Sequence, residues 1–317
     1  MLASPKRLWI GLALALVCFW PLCGSLAMAE VHSSYLYKLS SFDGPVTFKT
    51  AHIDVDDLRK EIYVADSRQG EVRIFNSKGM EVYRFGDDGR LGSIIDIAVD
   101  SNGNILVLGR KANRAVIVQC DFKGRARKTL QLQGVPREFE TMLPNRMAYR
   151  DGQLYLLDTN ALRLVVTDVA GHFRKGYDLA SVIGLEAKKR RDVSVGGFSI
   201  DPHGNILFTI PVMFTAFRLS PEGNLLSFGT PGSAPGRFGV VGGIVADRQG
   251  YYYVADRLKS VVLIFDPQLK FQTEFGYRGF KPHNLISPSE LDLDDQGRLY
   301  VTQLGNRGVS VFKITHP

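Results

Sequence analysis

Four polar residues are candidates for binding chemistry because each directly precedes an apolar residue of a strand-like segment. They are His52, Asp96, Arg146 and Glu290. Imidazole and carboxylate groups are common protein ligands of zinc and calcium, and arginine binds anionic groups through its planar guanidinium. If the fold brings the four together, they predict a site for a polar ligand or a metal ion. The alternative is that Asp96 and Arg146 form an ion pair in a water-filled opening.

A second candidate is the basic run Lys188-Lys189-Arg190-Arg191, which lies in a connection from Leu179 to Val195. Connections of this length are more often functional or mobile than merely connecting. The run could dock an anionic polymer or an acidic protein, and the alternative is a solvated charged surface. Both interpretations predict exposed side chains.

Other catalytic motifs are absent from the sequence. It contains no Gly-x-Ser-x-Gly, phosphate-binding loop, His-Glu-x-x-His, EF-hand loop or Cys-x-x-Cys-His. We therefore predict no catalytic residues and no cofactor, with calcium or zinc as the candidates should the four polar residues bind a metal. The excess of 39 Lys and Arg over 32 Asp and Glu is too small to indicate a nucleic-acid partner.

The pattern of residues 1–29 is typical of an export signal. Lys6 and Arg7 precede an apolar run from 8 to 19, and Ala27-Met28-Ala29 supplies the small residues of a cleavage site. We predict cleavage before Glu30 and a secreted or periplasmic protein. The alternative is an uncleaved anchor, which is the only membrane association expected. Removal of this segment leaves Cys120 as the only cysteine, so no intramolecular disulfide can form, and we predict that Cys120 is a half-buried strand residue.

One sequence unit recurs six times in the remaining chain. The strands of this unit are the elements that we expect to position the four polar candidates. The second strand of each copy ends at residue 66, 109, 158, 210, 256 or 303, and successive ends lie 43 to 52 residues apart. This is the size of a four-stranded propeller blade. Turns closed by glycine, such as Asp100–Gly103 and Asp247–Gly250, separate the strands. We predict an all-β fold in which residues 30–317 form a six-bladed β-propeller.

The two ends of the repeated region are complementary. The sixth copy stops after its third strand, Val309 to Lys313, whereas the segment from Tyr35 to Phe42 resembles an outer strand with no blade of its own. We predict that this N-terminal strand completes the sixth blade and closes the ring, which removes an exposed sheet edge.

The aligned repeats place the four polar candidates at the mouth of the central channel. Glu290, His52, Asp96 and Arg146 fall on blades six, one, two and three. The equivalent residues of blades four and five are Gly197 and Gly243, which we expect to leave space for a ligand.

The stretch from Gly229 to Phe238, followed by Gly242 to Asp256, resembles the NHL repeat, and the resemblance extends over residues 35–314. Copies two, four and six depart from it, since Gly109, Ile210 and Gln303 stand where the repeat has Asp. The resemblance implies that ligands bind on the face formed by the connections between blades and between second and third strands.

Related propeller enzymes provide a comparison for the channel mouth. Amidating lyases of the NHL type bind zinc through several histidines, for which His52 and His283 are the candidates here, and two are too few. Calcium-dependent lactonases use Glu, Asn and Asp, for which Glu290, Asp96 and Asn145 are the nearest residues, although the match is not residue by residue.

The predicted function is therefore that of an exported, monomeric binding or scaffolding module. It engages a protein or an anionic envelope polymer through the face that carries the long connections. The alternative is a metal-dependent hydrolase or lyase, similar to the lactonases or the amidating lyases, with its site at the channel mouth.

Overall fold

Six four-stranded antiparallel sheets make up the molecule and are arranged as the blades of a β-propeller, which confirms the predicted fold class. The structure, a computed structural model, describes Met1 and residues 31–48 and 50–316. Apart from Met1, the predicted signal segment lies outside the described residues. Among the described residues, no helix combines the length and the apolar composition needed to cross a bilayer.

The strands of each blade follow the chain from the channel outwards. Blade one comprises β4 (Ala51–Asp56), β5 (Glu61–Asp66), β6 (Glu71–Asn76) and β7 (Glu81–Gly86); blade two, β8 (Ser93–Val99), β9 (Ile105–Lys111), β10 (Arg114–Cys120) and β11 (Ala126–Leu130); blade three, β12 (Arg146–Arg150), β13 (Gln153–Asp158), β14 (Arg163–Asp168) and β15 (Phe173–Asp178). Blade four comprises β16 (Gly197–Ile200), β17 (Ile206–Ile210), β18 (Thr215–Leu219) and β19 (Leu225–Phe228); blade five, β20 (Val241–Ala246), β21 (Tyr252–Asp256), β22 (Val261–Phe265) and β23 (Phe271–Gly276). Blade six comprises β24 (Pro288–Leu293), β25 (Arg298–Gln303), β26 (Gly308–Thr315) and the N-terminal β1 (His32–Lys38).

The remaining elements are short. They are the hairpin β2 (Ser40–Ser41) and β3 (Gly44–Pro45), the helix α1 (Leu179–Val182), and two 3-10 helices at Ala187–Asp192 and Pro211–Met213. The connection from blade three to blade four, expected as a long loop, therefore contains two short helical segments.

Ring closure occurs as the two complementary ends predict. Strand β1 is the outer strand of blade six and pairs antiparallel with β26, from His32 opposite Thr315 to Lys38 opposite Ser310. The Tyr35 ring packs edge-on against Phe312 at 5.8 Å between centroids. Because the first strand of the fold completes the last blade, the chain ends hold the ring together.

The aspartates that end three of the second strands stabilise the neighbouring loops. Asp66, Asp158 and Asp256 each accept backbone N–H groups from the loop that follows and from the connection that enters the blade. In blade six, Gln303 takes this place, and its Oε1 accepts the N–H of Ile286 at 2.8 Å. These side chains therefore act as hydrogen-bond acceptors that fix the neighbouring turns.

Antiparallel blades give the propeller two faces with different connections. We call the face with the blade-to-blade connections and the loops between second and third strands the loop face. The other face, with the turns between first and second strands, is the turn face. The ends of the described region meet at the turn face, where His32 lies opposite Thr315 and the His316 Nε2 lies 2.6 Å from Asp247 in the first turn of blade five.

The expectation that Gly197 and Gly243 leave space for a ligand is wrong. Both glycines are buried, and the backbone of the next blade fills the space beside them. A Cβ atom on Gly197 would lie 2.1 Å from the Gly242 carbonyl oxygen, and one on Gly243 would lie 2.7 Å from the Ser289 carbonyl oxygen. The glycines allow the inner strands of blades four, five and six to approach closely.

Gly197→Ala is expected to lower the free energy of unfolding by about 1–3 kcal/mol, because the added methyl group meets backbone atoms that have little freedom to move. Gly184→Ala is the matched control, since open space surrounds its Cβ position and only its left-handed backbone (φ +69°) opposes the change. Urea unfolding measures both variants. Equal destabilisation by the two would contradict the role in blade packing.

Candidate functional site

A buried arginine joins two of the carboxylates predicted at the channel mouth. The two terminal nitrogens of Arg146 donate to the two carboxylate oxygens of Glu290 at 2.6 and 2.7 Å, and its Nε donates to Asp96 Oδ2 at 3.1 Å. The side chains of all three are 13% exposed or less. Side chains from blades two, three and six therefore meet in one ion-pair network.

The inner strands direct these side chains into the channel. Arg146 is the first residue of β12, and the registers of β8 and β24 shift beside Asp96 and Glu290. A β-bulge of this kind changes the direction of a side chain and interrupts the regular hydrogen bonding between the two strands. The Asp96 carboxylate also accepts the backbone N–H groups of Ile97 and Met147, at 2.9 and 2.8 Å.

The electrostatics of the network favour its charged form. Burial alone would raise the pKa of Glu290, but the Arg146 guanidinium outweighs burial and lowers it. Burial would likewise lower the pKa of Arg146, whereas Glu290 and Asp96 raise it. Two carboxylates and one guanidinium leave the network with a net negative charge.

His52, the remaining predicted residue, lies beside this network. It lines a cavity of about 340 Å³ at the loop face together with Arg146 and Glu290. Burial lowers the pKa of His52, and the nearby Arg146 lowers it further. Among the described residues its Nδ1 has no hydrogen-bond partner. The imidazole is therefore neutral at pH 7.

The cluster does not fit a metal ion. Both oxygens of Glu290 accept from Arg146, and both oxygens of Asp96 accept N–H groups. The guanidinium occupies the position between the carboxylates that a cation would take. In the described part of the chain, no group of three or more His, Cys, Asp or Glu is arranged to hold a metal.

The residues considered by comparison with propeller enzymes do not extend the cluster. Asn145 lines the cavity, but its amide is used by Thr159, donating to Oγ1 and accepting the backbone N–H. His283 is exposed in the connection from blade five to blade six. Cys120 is fully buried rather than half-buried.

The basic run lies outside the cavity, on the 3-10 helix between blades three and four. Lys188, Lys189 and Arg191 are exposed, as both interpretations of the run expected. Arg190 is half-buried, and its guanidinium donates to Asp178 and to the Ser181 hydroxyl, each at 2.8 Å. Arg190 therefore fixes the helical segment, while its neighbours face solvent.

Two further carboxyl groups, which the sequence analysis did not identify as candidates, lie in the channel below Arg146. Asp54 and Asp292 line a cavity of about 460 Å³ that opens towards the turn face. Asp54 accepts the N–H of Val99 at 2.9 Å, and Asp292 accepts that of Val55 at 2.8 Å. Each carboxyl thus joins its blade to the next, as Asp96 does through Met147.

Burial raises the pKa of both groups. That of Asp54 is raised to about 7, with Asp96 and Asp56 adding to the effect of burial. That of Asp292 is raised by burial and by Asp54. No arginine bridges this pair within salt-bridge distance in the described chain, in contrast to Asp96 and Glu290.

Asp54→Asn is expected to stabilise the protein at pH 8 by about 1–2 kcal/mol, or roughly 3–6 °C in Tm. A carboxyl whose pKa is raised on folding holds a proton that the unfolded chain releases, so its contribution to stability is lost as pH rises from about 4 through about 7. The asparagine keeps an oxygen to accept the Val99 N–H. Thermal melts should show a clearly smaller gain at pH 5 than at pH 8, and exposed Asp43→Asn should show no gain at either pH. A variant less stable than the wild type at pH 8 would contradict the prediction.

Comparison with known proteins defines the class of this protein by its fold. No family model matches the sequence, and no curated protein matches it. A Bacteroides thetaiotaomicron protein of unknown function superposes with a TM-score of 0.66 at 12% identity over 90% of this chain and 77% of its own. A virginiamycin B lyase from Staphylococcus aureus gives 0.55 at 13% identity, covering 91% and 89% of the two chains. A gluconolactonase from Xanthomonas campestris gives 0.59 at 14% identity, covering 92% and 93%. The chain is a six-bladed β-propeller, and identities this low establish the fold alone.

Proposed function

We propose that this protein is an exported, monomeric binding module that engages an anionic partner through its loop face. The observation that carries the proposal is the difference in charge between the two faces. The first turn of every blade, on the turn face, begins with an aspartate: Asp57, Asp100, Asp151, Asp201, Asp247 and Asp294. Asp100, Asp201 and Asp294 are buried, and the same turns also contain Arg59, Lys60 and Arg248, so the turn face carries both signs of charge. The connections of the loop face carry mainly basic residues: Arg68, Arg90, Arg137, Lys188, Lys189, Arg190, Arg191, Arg237, Arg257, Lys259, Arg278, Lys281 and Arg307.

This asymmetry orients an approaching polyanion. A surface with one predominant sign of charge attracts an oppositely charged partner and repels it from the other side. Lys188, Lys189 and Arg191 form the densest group of basic residues on this face, and all three are exposed. The network at the channel mouth supports the binding module rather than a metal enzyme, because Arg146 already neutralises much of the charge that a cation would need.

Retention on heparin-agarose, a general polyanion, tests the proposal. The protein should be retained at low salt, and replacing Lys188, Lys189, Arg190 and Arg191 by Gln should lower the eluting salt concentration clearly. The matched control replaces four basic residues of the outer hairpin of blade two, Lys123, Arg125, Arg127 and Lys128. No retention, or an equal decrease in both variants, would reject the loop face as the binding surface.

A metal-dependent hydrolase or lyase remains the second candidate. It is favoured by the superposed lyase and gluconolactonase, and by His52 in the 340 Å³ cavity, whose Nδ1 has no hydrogen-bond partner among the described residues. The metal content of residues 30–317 after loading with calcium or zinc distinguishes it from the binding module. We expect well below one equivalent, since Arg146 fills the position of a cation. Near-stoichiometric metal that is lost in both His52→Ala and Glu290→Ala would support the enzyme.

A further inference from the structure

The loop face is divided into two chemically different halves. Five connections of blades four to six, at residues 211–214, 229–240, 257–260, 277–287 and 304–307, contain neither Asp nor Glu. We call these five segments the apolar-basic crescent. The connections of blades one to three, in contrast, include Asp87, Asp88, Glu138 and Glu140. The acidic groups next to the crescent, Asp256 and Glu274, are buried and hydrogen-bonded.

Large apolar side chains of the crescent point to solvent. Phe280 is 92% exposed, Leu258 72% and Val212 60%, and Phe214, Val240 and Tyr277 are also exposed. Isolated exposed apolar residues are normal, but a group on neighbouring loops of one face marks an interaction site.

Basic groups lie between these apolar side chains. Arg237, Arg278 and Lys281 are exposed. The guanidinium of Arg307 lies 5.9 Å from the centre of the Phe280 ring, and its Nη2 donates to the Gly279 carbonyl at 3.2 Å. A cation and an exposed aromatic ring are therefore presented side by side on a fixed backbone.

We infer that the apolar-basic crescent binds the surface of an anionic lipid bilayer. The inference rests on the proposed function and names its partner. Lys and Arg side chains are attracted to anionic headgroups, while Phe, Leu and Val on loop tips enter the boundary between headgroups and acyl chains. A soluble polyanion would satisfy the basic groups but offers no apolar phase for Phe280 and Leu258. The absence of carboxylates in the five segments removes the repulsion that would oppose contact.

This contact differs from the membrane association expected from the sequence, which was limited to an uncleaved signal. It is peripheral and reversible, and it uses loops that are far from residues 1–29 along the chain. It should weaken as salt is raised, because screening reduces the attraction between headgroups and exposed basic groups.

Co-sedimentation of residues 30–317 with vesicles tests the inference. Vesicles of phosphatidylcholine alone are compared with equimolar phosphatidylcholine and phosphatidylglycerol. We expect binding to the mixed vesicles only, weakened at least tenfold in the double variant Leu258→Ser, Phe280→Ser. The matched control is Leu58→Ser, Phe122→Ser, which removes two exposed apolar side chains from turns of the other face and should bind like the wild type. All four residues are exposed, so thermal melts should be unchanged.

The outcomes separate this inference from the proposed function. If the protein is retained on heparin but does not bind the mixed vesicles, the inference that the crescent binds a lipid bilayer is wrong, whereas the proposed binding of an anionic partner stands. If the wild-type protein neither is retained on heparin nor binds the mixed vesicles, the proposed function itself is wrong. If the wild type and the Leu258→Ser, Phe280→Ser variant bind vesicles equally, the crescent is not the membrane-binding surface. We expect this variant to be retained on heparin as strongly as the wild type.

Discussion

Arg146→Met is expected to lower the free energy of unfolding by about 3–5 kcal/mol at pH 7. Methionine fills much of the space but leaves the buried carboxylates of Asp96 and Glu290 without their counter-ion. For a domain of this size the loss corresponds to a decrease in Tm of roughly 10 °C. Differential scanning calorimetry measures it, and Arg174→Met is the matched control. Arg174 is 60% exposed and pairs with Asp168 at the surface, where an ion pair contributes little.

The pH dependence identifies the cause of this destabilisation. In the wild type the pKa of Glu290 is lowered by Arg146, so the stability it provides is present above about pH 4.5 and is lost as pH falls. In Arg146→Met the same carboxylate is buried without a partner and gains from protonation. The difference between variant and wild type should therefore be smaller at pH 4 than at pH 7. A Tm within about 2 °C of the wild type at pH 7 would show that the network contributes little.

Removal of β1 is expected to have the second large effect. A chain that begins at Leu39 loses every pair between β1 and β26 and the contact between Tyr35 and Phe312. Since each net backbone hydrogen bond contributes about 1 kcal/mol, the loss approaches the stability of a typical domain. The uncovered edge of β26 also offers unpaired backbone groups to other chains.

Size-exclusion chromatography and thermal melts of residues 39–317 and 31–317 test this prediction. The longer chain should be monomeric and unfold cooperatively, whereas the shorter one should aggregate or melt at least about 10 °C lower. An excess of a peptide of residues 31–41 should restore the monomer by adding the missing strand. A monomeric shorter chain with an unchanged melt would mean that closure by β1 is dispensable.

The sequence predicted the blades and their closure because both depend on local patterns. Strand alternation, turn glycines and the terminal aspartates of second strands recur at nearly constant spacing, so each copy supports the others. It also brought Asp96, Arg146 and Glu290 to the same level of the channel. Their pairing was left open because it depends on the radius of the channel, which no single repeat encodes.

Two features of the channel depend on contacts between blades and were not obtained from the repeats. Gly197 and Gly243 were interpreted as open space, although glycine in a strand equally marks a close approach of backbones. Asp54 and Asp292 were overlooked, yet the alternation of strands offered a signal. They lie two residues after His52 and Glu290, and side chains at i and i+2 share one side of a strand.

The position of the chain ends on the turn face limits how the molecule can be tethered. The polypeptide enters the first strand beside Thr315, on the side opposite the apolar-basic crescent. If the segment before residue 31 stays in a bilayer as an anchor, the crescent points away from that bilayer and towards whatever lies across the intervening gap. If the protein is exported and this segment is removed, as we propose, the released propeller is free to orient the crescent towards the same membrane. Processing of the N-terminal segment would thus decide whether the molecule spans two surfaces or rests on one.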